Sequence, residues 1–239
     1  MRPTVQLAAA LMLATAVQSP AQFHLGGKRD KNERPRKSDV EWLWQYGPTE
    51  TQKDGNENGL VQDDRFRPML AQNFTAPQTF WGDPGRYKPL DAVALDYLSV
   101  PGKVIAEDNR YLTVTGCVVH FCPARGMLWV DLNSPKTLMV FNAIDWIKES
   151  HATSEPDAEY TLWIFPDQPL TPGSTGTDRI PPALARSIGR WTAEPLPGSG
   201  IVQRVTHAIL VEPDGTPHEL PIDSVGITLP QSTTKKDTQ

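Results

Sequence analysis

The sequence lacks several features that would identify a common class of protein. Only two of its 239 residues are cysteines, which excludes a disulfide-rich scaffold and a four-cysteine zinc site. Positive charge is not in excess, since the chain has 23 Lys and Arg and 28 Asp and Glu. The net charge of -5 argues against binding of nucleic acid and favours a cationic partner. No Gly-x-Ser-x-Gly elbow, glycine-rich phosphate loop or His-Glu-x-x-His helix is present. We therefore expect that the protein is not an enzyme, although a catalytic carboxylate pair leaves little trace in a sequence.

A long apolar run is found only near the N-terminus. Arg2 gives a short positive start, residues 5–17 are mostly apolar, and Ser19-Pro20-Ala21 forms a small-x-small cleavage signal. This pattern is typical of a secretory signal peptide, and the run is shorter than the roughly 20 residues that cross a bilayer. We expect residues 1–21 to be removed by cleavage after Ala21, leaving a periplasmic or secreted protein with no stable membrane insertion.

Composition divides the rest of the chain into segments. Residues 28–37 carry six basic and two acidic residues and no apolar side chain, which is typical of a flexible, charged lead. An aromatic segment, residues 40–48, interrupts this lead, and its rings are expected to pack onto the domain. The predicted segments are the lead over 22–59, an α+β domain over 60–195, a C-terminal β-hairpin extension over 196–230 and a disordered tail over 231–239.

The spacing of apolar residues predicts an α+β fold. Phe66, Met69, Leu70 and Phe74 lie at helical spacing, and residues 181–191, which begin with two prolines, predict a second helix. Residues 89–102 fit a helical turn or a strand equally well. Apolar runs joined by short polar turns predict five strands, which favours antiparallel pairing: 103–106, 111–117, 126–132, 136–144 and 160–165. We expect a five-stranded antiparallel sheet packed with helices, plus a C-terminal hairpin around the turn at residues 213–215.

The two cysteines enclose a short segment between two of these strands: Cys117, Val118, Val119, His120, Phe121 and Cys122. A metal site here would have three ligands within six residues, and a thioredoxin-type redox centre needs two intervening residues instead of four. An exported cysteine pair most simply forms a disulfide. Closing so short a loop contributes only roughly 2 kcal/mol, so its expected role is to stiffen a loop that presents His120, whose imidazolium suits paired carboxylates. The alternative is that His120 is an ordinary polar surface residue.

Several motifs surround this segment. YLTVTG precedes it, MLWVDL follows it, and YTLWIFPDQPL is followed by a helix that ends at Trp191. With Cys-x-x-His-x-Cys between two strands, the chain over about residues 60–195 resembles the inhibitor of vertebrate lysozyme (Ivy) family of periplasmic proteins. In that family a disulfide-closed loop inserts its histidine into the lysozyme cleft. The resemblance implies an inhibitory loop in which Cys117, His120 and Cys122 match the family, a c-type lysozyme as partner, and no cofactor or catalytic residue.

The loop departs from the family at three positions. The family's loop is Cys-Lys-Pro-His-Asp-Cys, so Val118, Val119 and Phe121 replace a cation, a rigid proline and an aspartate. Either Phe121 stacks in a sugar subsite of the target, or the target has changed. The first alternative function is a regulator of the organism's own lytic transglycosylases, which share the lysozyme-like cleft. The second is a non-catalytic envelope scaffold or adaptor that uses the aromatic segment and the C-terminal hairpin. The C-terminal hairpin could also support a homodimer.

Overall fold

The computed structural model describes residues 40–49, 55–132, 137–170 and 179–228. The predicted signal peptide and the predicted tail lie outside these residues, and so does the basic part of the lead. In the part of the chain that is described, no helix is both long and apolar enough to cross a membrane.

Along the chain, a group of helices is followed by five strands, a further helix, and two more strands with a 3-10 helix. Within the described residues, the helices are two 3-10 helices, Glu41–Tyr46 and Ile222–Val225, and four α-helices, α1 (Glu57–Gln62), α2 (Phe66–Asn73), α3 (Leu90–Tyr97) and α4 (Pro182–Thr192). The strands are β1 (Val100–Glu107), β2 (Tyr111–Val118), β3 (Phe121–Asp131), β4 (Leu138–Trp146), β5 (Glu159–Pro166), β6 (Arg204–Val211) and β7 (Pro217–Leu220).

The prediction of a five-stranded antiparallel sheet is wrong. All seven strands form one mixed sheet in the order β1 to β7, and β5 and β6 pair in parallel whereas every other neighbouring pair is antiparallel. The physical reason is the long connection between β5 and β6, which contains α4. Parallel neighbours need such a crossover, so β6 returns in the direction of β5. The hairpin β6–β7 therefore extends the main sheet, and the fold is α+β with a larger sheet than expected.

Helices cover both faces of the sheet. Along β3, Leu128 belongs to the core beneath α2 and α3, and the next residue, Trp129, belongs to the core beneath α4. We call these the α2–α3 core and the α4 core. Because both faces are covered, the central strands are buried along most of their length and have long apolar runs instead of a strict alternation.

Local sequence signals agree with most of the elements. The predicted helix at Phe66 is α2, and residues 89–102, left open by the sequence, form α3 and the start of β1. The predicted polar turn between β1 and β2 centres on Asp108 and Asn109, whose φ angles of 56° and 49° are those of a type I′ hairpin.

The aromatic segment belongs to the packed domain. The Tyr46 hydroxyl donates a hydrogen bond to Asp63 at 2.6 Å, and the Arg65 guanidinium lies 4.3 Å from the centre of the Trp42 ring. The expectation that its rings pack onto the domain is confirmed, since all three contact the α2–α3 core: Trp42, Trp44 and Tyr46.

Candidate functional site

The cysteine-enclosed segment forms the tip of the β2–β3 hairpin. Val118 pairs with Phe121, so Val119 and His120 are the two turn residues between the strands. His120 has a φ of 63°, a left-handed conformation that histidine adopts more readily than most non-glycine residues. Both turn residues are exposed, with Val119 54% accessible. The fold therefore presents the imidazole at the end of a tight hairpin.

The two cysteines lie within disulfide distance across the base of this tip. Their Cα atoms are 4.9 Å apart, inside the usual range for a disulfide. Cys117 pairs with Arg125 in the sheet, whereas the next residue, Val118, pairs with Phe121, so residues 122–124 form a bulge in β3. The disulfide closes this bulge against the end of β2. We call residues 117–124 the His120 hairpin.

Two side chains from other elements hold the backbone of the His120 hairpin. The N–H of Val119 donates to the Ser99 Oγ at 3.1 Å, and that hydroxyl lies 2.7 Å from the Asp96 carbonyl in the last turn of α3. On the other side, the Gln203 amide nitrogen donates to the Pro123 carbonyl at 2.7 Å. The tip is therefore fixed by α3 and by the chain entering β6, in addition to its disulfide.

Two paired glycines let α3 approach close enough to supply Ser99. Gly116 of β2 pairs with Gly126 of β3 beneath the end of α3. A Cβ atom on Gly116 would lie 2.8 Å from the Leu98 Cα, and one on Gly126 would lie 2.8 Å from the Tyr97 Cβ. Neither position has room for a side chain, so the glycine pair sets the distance between α3 and the hairpin.

Only part of the hairpin is available to a partner. Val118 and Phe121 are half-buried and pack against the α2–α3 core. Because Phe121 contacts its own domain, the exposed side chains at the tip are Val119 and His120. A partner therefore meets an imidazole beside a branched apolar side chain.

A buried cation lies behind the bulge. Arg125 is 4% exposed, and its guanidinium donates to the carbonyls of Glu194 at 3.1 Å and Trp191 at 3.4 Å, where α4 ends. Burial lowers the pKa of Arg125 to about 10. The partial negative charge at the C-terminal end of α4 partly offsets the charge of Arg125. Through its two hydrogen bonds, Arg125 joins β3 to α4 just after the hairpin.

The residues that support the tip were not found from the sequence. Ser99 and Gln203 are polar residues in loops and belong to no motif, and Gln203 is 80 positions from its partner Pro123. Arg125 carries a weak signal, since it is a charged residue within an apolar strand run. Sequence reasoning located the hairpin but had no means of finding what holds it.

The described residues offer no second centre of obvious chemistry. Across them, no group of three or more His, Cys, Asp and Glu side chains is arranged to hold a metal ion. His151, His207 and His218 each lie 3.4 to 4.0 Å from a glutamate carboxylate in surface contacts. The arrangement at the His120 hairpin is suited to binding, since an imidazole there can donate or accept hydrogen bonds to a partner.

Comparison with known proteins leaves the function to be inferred from this geometry. The chain matches no family model, and neither a curated protein nor a solved structure is significantly similar to it.

Proposed function

We propose that the protein is an exported inhibitor of a c-type lysozyme and that it inserts the His120 hairpin into the glycosidase cleft. The observation that carries the proposal is the exposed His120 at the tip of a hairpin closed by Cys117 and Cys122 and held by Ser99 and Gln203. A loop that is already ordered loses less conformational entropy on binding. Such a loop is suited to entering a cleft.

The mechanism is blockade of the cleft without chemical modification. A glycosidase of this class places two carboxyl groups on either side of the scissile bond, one of them protonated. The His120 imidazole can donate a charge-assisted hydrogen bond to the ionised carboxylate and occupy the space of the substrate. The inhibitor itself needs no catalytic residue or cofactor.

Two further properties support a lysozyme as the target. The motifs around the hairpin resemble those of the Ivy family, with Cys117, His120 and Cys122 at matching positions. The net charge of -5 complements a strongly basic enzyme and would raise the rate of encounter. At the tip, Val119 adds apolar contact where the family has proline.

The direct test is inhibition of a c-type lysozyme by the oxidised mature protein. We expect His120→Ala to weaken inhibition by about thirtyfold, as for a central interface residue. His120→Asn is the sharper variant, because asparagine also tolerates the positive φ of this position while removing the imidazole. His151→Asn, which alters an exposed histidine in another loop, should leave inhibition unchanged.

Reduction of the Cys117–Cys122 pair is an independent test of the proposed inhibition. The reduced protein should inhibit less well, because the tip gains freedom that binding must remove. Full inhibition by His120→Asn would contradict the proposed role of the imidazole. If the oxidised wild type does not inhibit lysozyme at all, the target class is wrong, and the same variants should be assayed on the organism's own lytic transglycosylases.

A further inference from the structure

A second surface lies at the same end of the sheet as the His120 hairpin. Asp145 of β4 pairs with Thr161 of β5, and Ala143 pairs with Trp163. Side chains alternate along a strand, so Asp145 shares a face with Ala143 and Trp163, whereas Ile144 belongs to the α4 core. Asp145 and Trp163 are therefore diagonal neighbours across the two strands.

Aromatic rings continue this surface away from the sheet. Phe80 stacks on Trp163 with ring centres 5.2 Å apart and also contacts Tyr97 at 5.9 Å. The Trp81 ring meets Tyr97 edge-on at 4.9 Å. Tyr97 is fully buried, whereas Phe80, Trp81 and Trp163 remain partly accessible. We call Phe80, Trp81, Tyr97, Asp145 and Trp163 the aromatic–acidic face.

Asp145 is half-buried on this face, and no described cation lies within ion-pair distance of it. It accepts a hydrogen bond from the backbone N–H of Trp146 and feels the charge of Lys148, but it forms no ion pair with any residue that the structure describes. A carboxylate removed from water in this way is costly unless an opposite charge compensates it.

The Tyr97 hydroxyl adds a polar group to the same place. Its oxygen is buried and has no hydrogen-bond partner in the described part of the chain. Burial raises the pKa of Tyr97, and the charge of Asp145 raises it further, so the hydroxyl lies within electrostatic reach of the carboxylate. Because Tyr97 is fully buried, its hydroxyl lies beneath this surface, and Asp145 is the polar group of the pair that a ligand can reach.

We propose that the aromatic–acidic face binds the guanidinium group of an arginine side chain from a basic protein partner. A guanidinium is planar and carries five N–H donors, so it can pack against the partly accessible ring of Trp81 or Trp163 while donating to Asp145. The net charge of -5 favours such a partner, and this binding site is separate from the imidazole on which the proposed function depends.

The test is a titration of the full-length mature protein with N-acetyl-arginine amide, followed by NMR of the backbone amides and tryptophan indoles. N-acetyl-citrulline amide has nearly the same shape without the charge and serves as the matched probe. We expect the arginine probe to shift the signals of Trp81 and Trp163 to saturation, and the citrulline probe to leave them in place at the same concentration.

Two isosteric variants assign the binding to the carboxylate. Asp145→Asn should weaken binding of the arginine probe by about tenfold, because it removes a charge-assisted hydrogen bond. Asp157→Asn changes an exposed aspartate in the connection between β4 and β5 and should leave binding unchanged. The comparison of the two probes needs no variant, so it remains valid even if Asp145→Asn folds poorly.

The pH dependence gives a further readout. Burial raises the pKa of Asp145 to about 6, so binding of the arginine probe should be complete at pH 8 and largely lost at pH 5. The other titratable groups near this carboxylate are Tyr97 of α3, which also feels the charge of Asp96, Lys148, and His207, which pairs with Thr161. His207→Asn should keep the same profile, which separates the histidine from the carboxylate.

Three outcomes would overturn the inference. These are equal affinity for the arginine and citrulline probes, unchanged affinity in Asp145→Asn, and shifts confined to residues outside the aromatic–acidic face. A response of the same residues to a chito-oligosaccharide, with none to arginine, would make the surface a sugar site instead. None of these experiments contains a glycosidase or changes His120, so their failure is distinct from failure of the proposed inhibitor function.

Discussion

His120 and Glu57 each depart from the state of an ordinary surface side chain, in opposite ways. His120 is exposed but holds a φ of 63°, so its imidazole is presented by a backbone conformation that alanine adopts at a cost. Glu57 is the opposite case, a carboxyl that is 4% exposed and has a side-chain oxygen without a hydrogen-bond partner among the described residues. We therefore expect changes at His120 to affect binding and changes at Glu57 to affect stability.

Glu57 should make the stability of the fold depend on pH. Burial raises its pKa to about 7 in the folded protein, against about 4.3 for a free glutamate, so the folded state holds the proton more tightly. The wild type should therefore lose stability as pH rises from about 4 to 7 relative to Glu57→Gln. We expect the variant to melt at least about 2 °C higher at pH 8 and at nearly the same temperature at pH 4.

Thermal unfolding at several pH values checks this expectation. Glu149→Gln changes an exposed glutamate and should follow the wild type throughout. If the gap between Glu57→Gln and the wild type were constant across this range, the carboxyl would not be the titrating group.

At the scale of elements, the His120 hairpin depends on its neighbours as much as on its disulfide. The glycine pair at Gly116 and Gly126 allows α3 to pack closely on β2 and β3, and the end of α3 positions Ser99 beside the turn. Gln203 holds the bulge from the other side of the sheet. A two-residue turn closed by one short disulfide is thereby fixed in direction by α3 and by the chain entering β6.

Removal of the Ser99 hydroxyl should loosen the tip without unfolding the domain. Ser99→Ala takes away the acceptor for the Val119 N–H, which costs about 1 kcal/mol. The expected result is faster hydrogen exchange at the Val119 amide, with weaker inhibition of the target through a higher dissociation rate.

Ser150→Ala is the matched control for this change. Ser150 also accepts a backbone N–H, from Glu159 at 3.0 Å, but in the connection between β4 and β5. It should lose a similar amount of stability and keep full inhibition. Equal effects of the two variants on inhibition would mean that Ser99 acts only through global stability.

At the scale of the whole molecule, the mixed sheet places both proposed binding surfaces at one end. The β2–β3 turn and the last residues of β4 lie together, since Arg125 pairs with Ile144 next to Asp145. A single partner seated on His120 would therefore also lie near the aromatic–acidic face. With a net charge of -5, the molecule is suited to a large basic partner.

Long-range attraction of this kind should appear in the kinetics of association with a c-type lysozyme. Raising the salt concentration shortens the screening length from about 30 Å at 0.01 M to about 8 Å at 0.15 M. We expect the association rate to fall roughly tenfold over this range while the dissociation rate changes little.

Stopped-flow or surface-based kinetics would measure both rates. His120→Asn should dissociate faster yet show the same salt dependence of association, because steering arises from the whole surface charge. An association rate that is independent of salt would remove electrostatic steering from the mechanism.

The sequence by itself determined the elements whose signals are local. Helical spacing predicted α2 and α4, polar turns predicted the β1–β2 and β3–β4 hairpins, and the chain offers a single possible cysteine pair, Cys117 and Cys122. Only the tertiary structure decided that β6 pairs in parallel with β5, that Phe121 packs inward, and that Ser99 and Gln203 hold the tip. These contacts join residues up to 80 positions apart. Their geometry is set by the packing of α3 and α4 on opposite faces of the sheet, which no short stretch of sequence encodes.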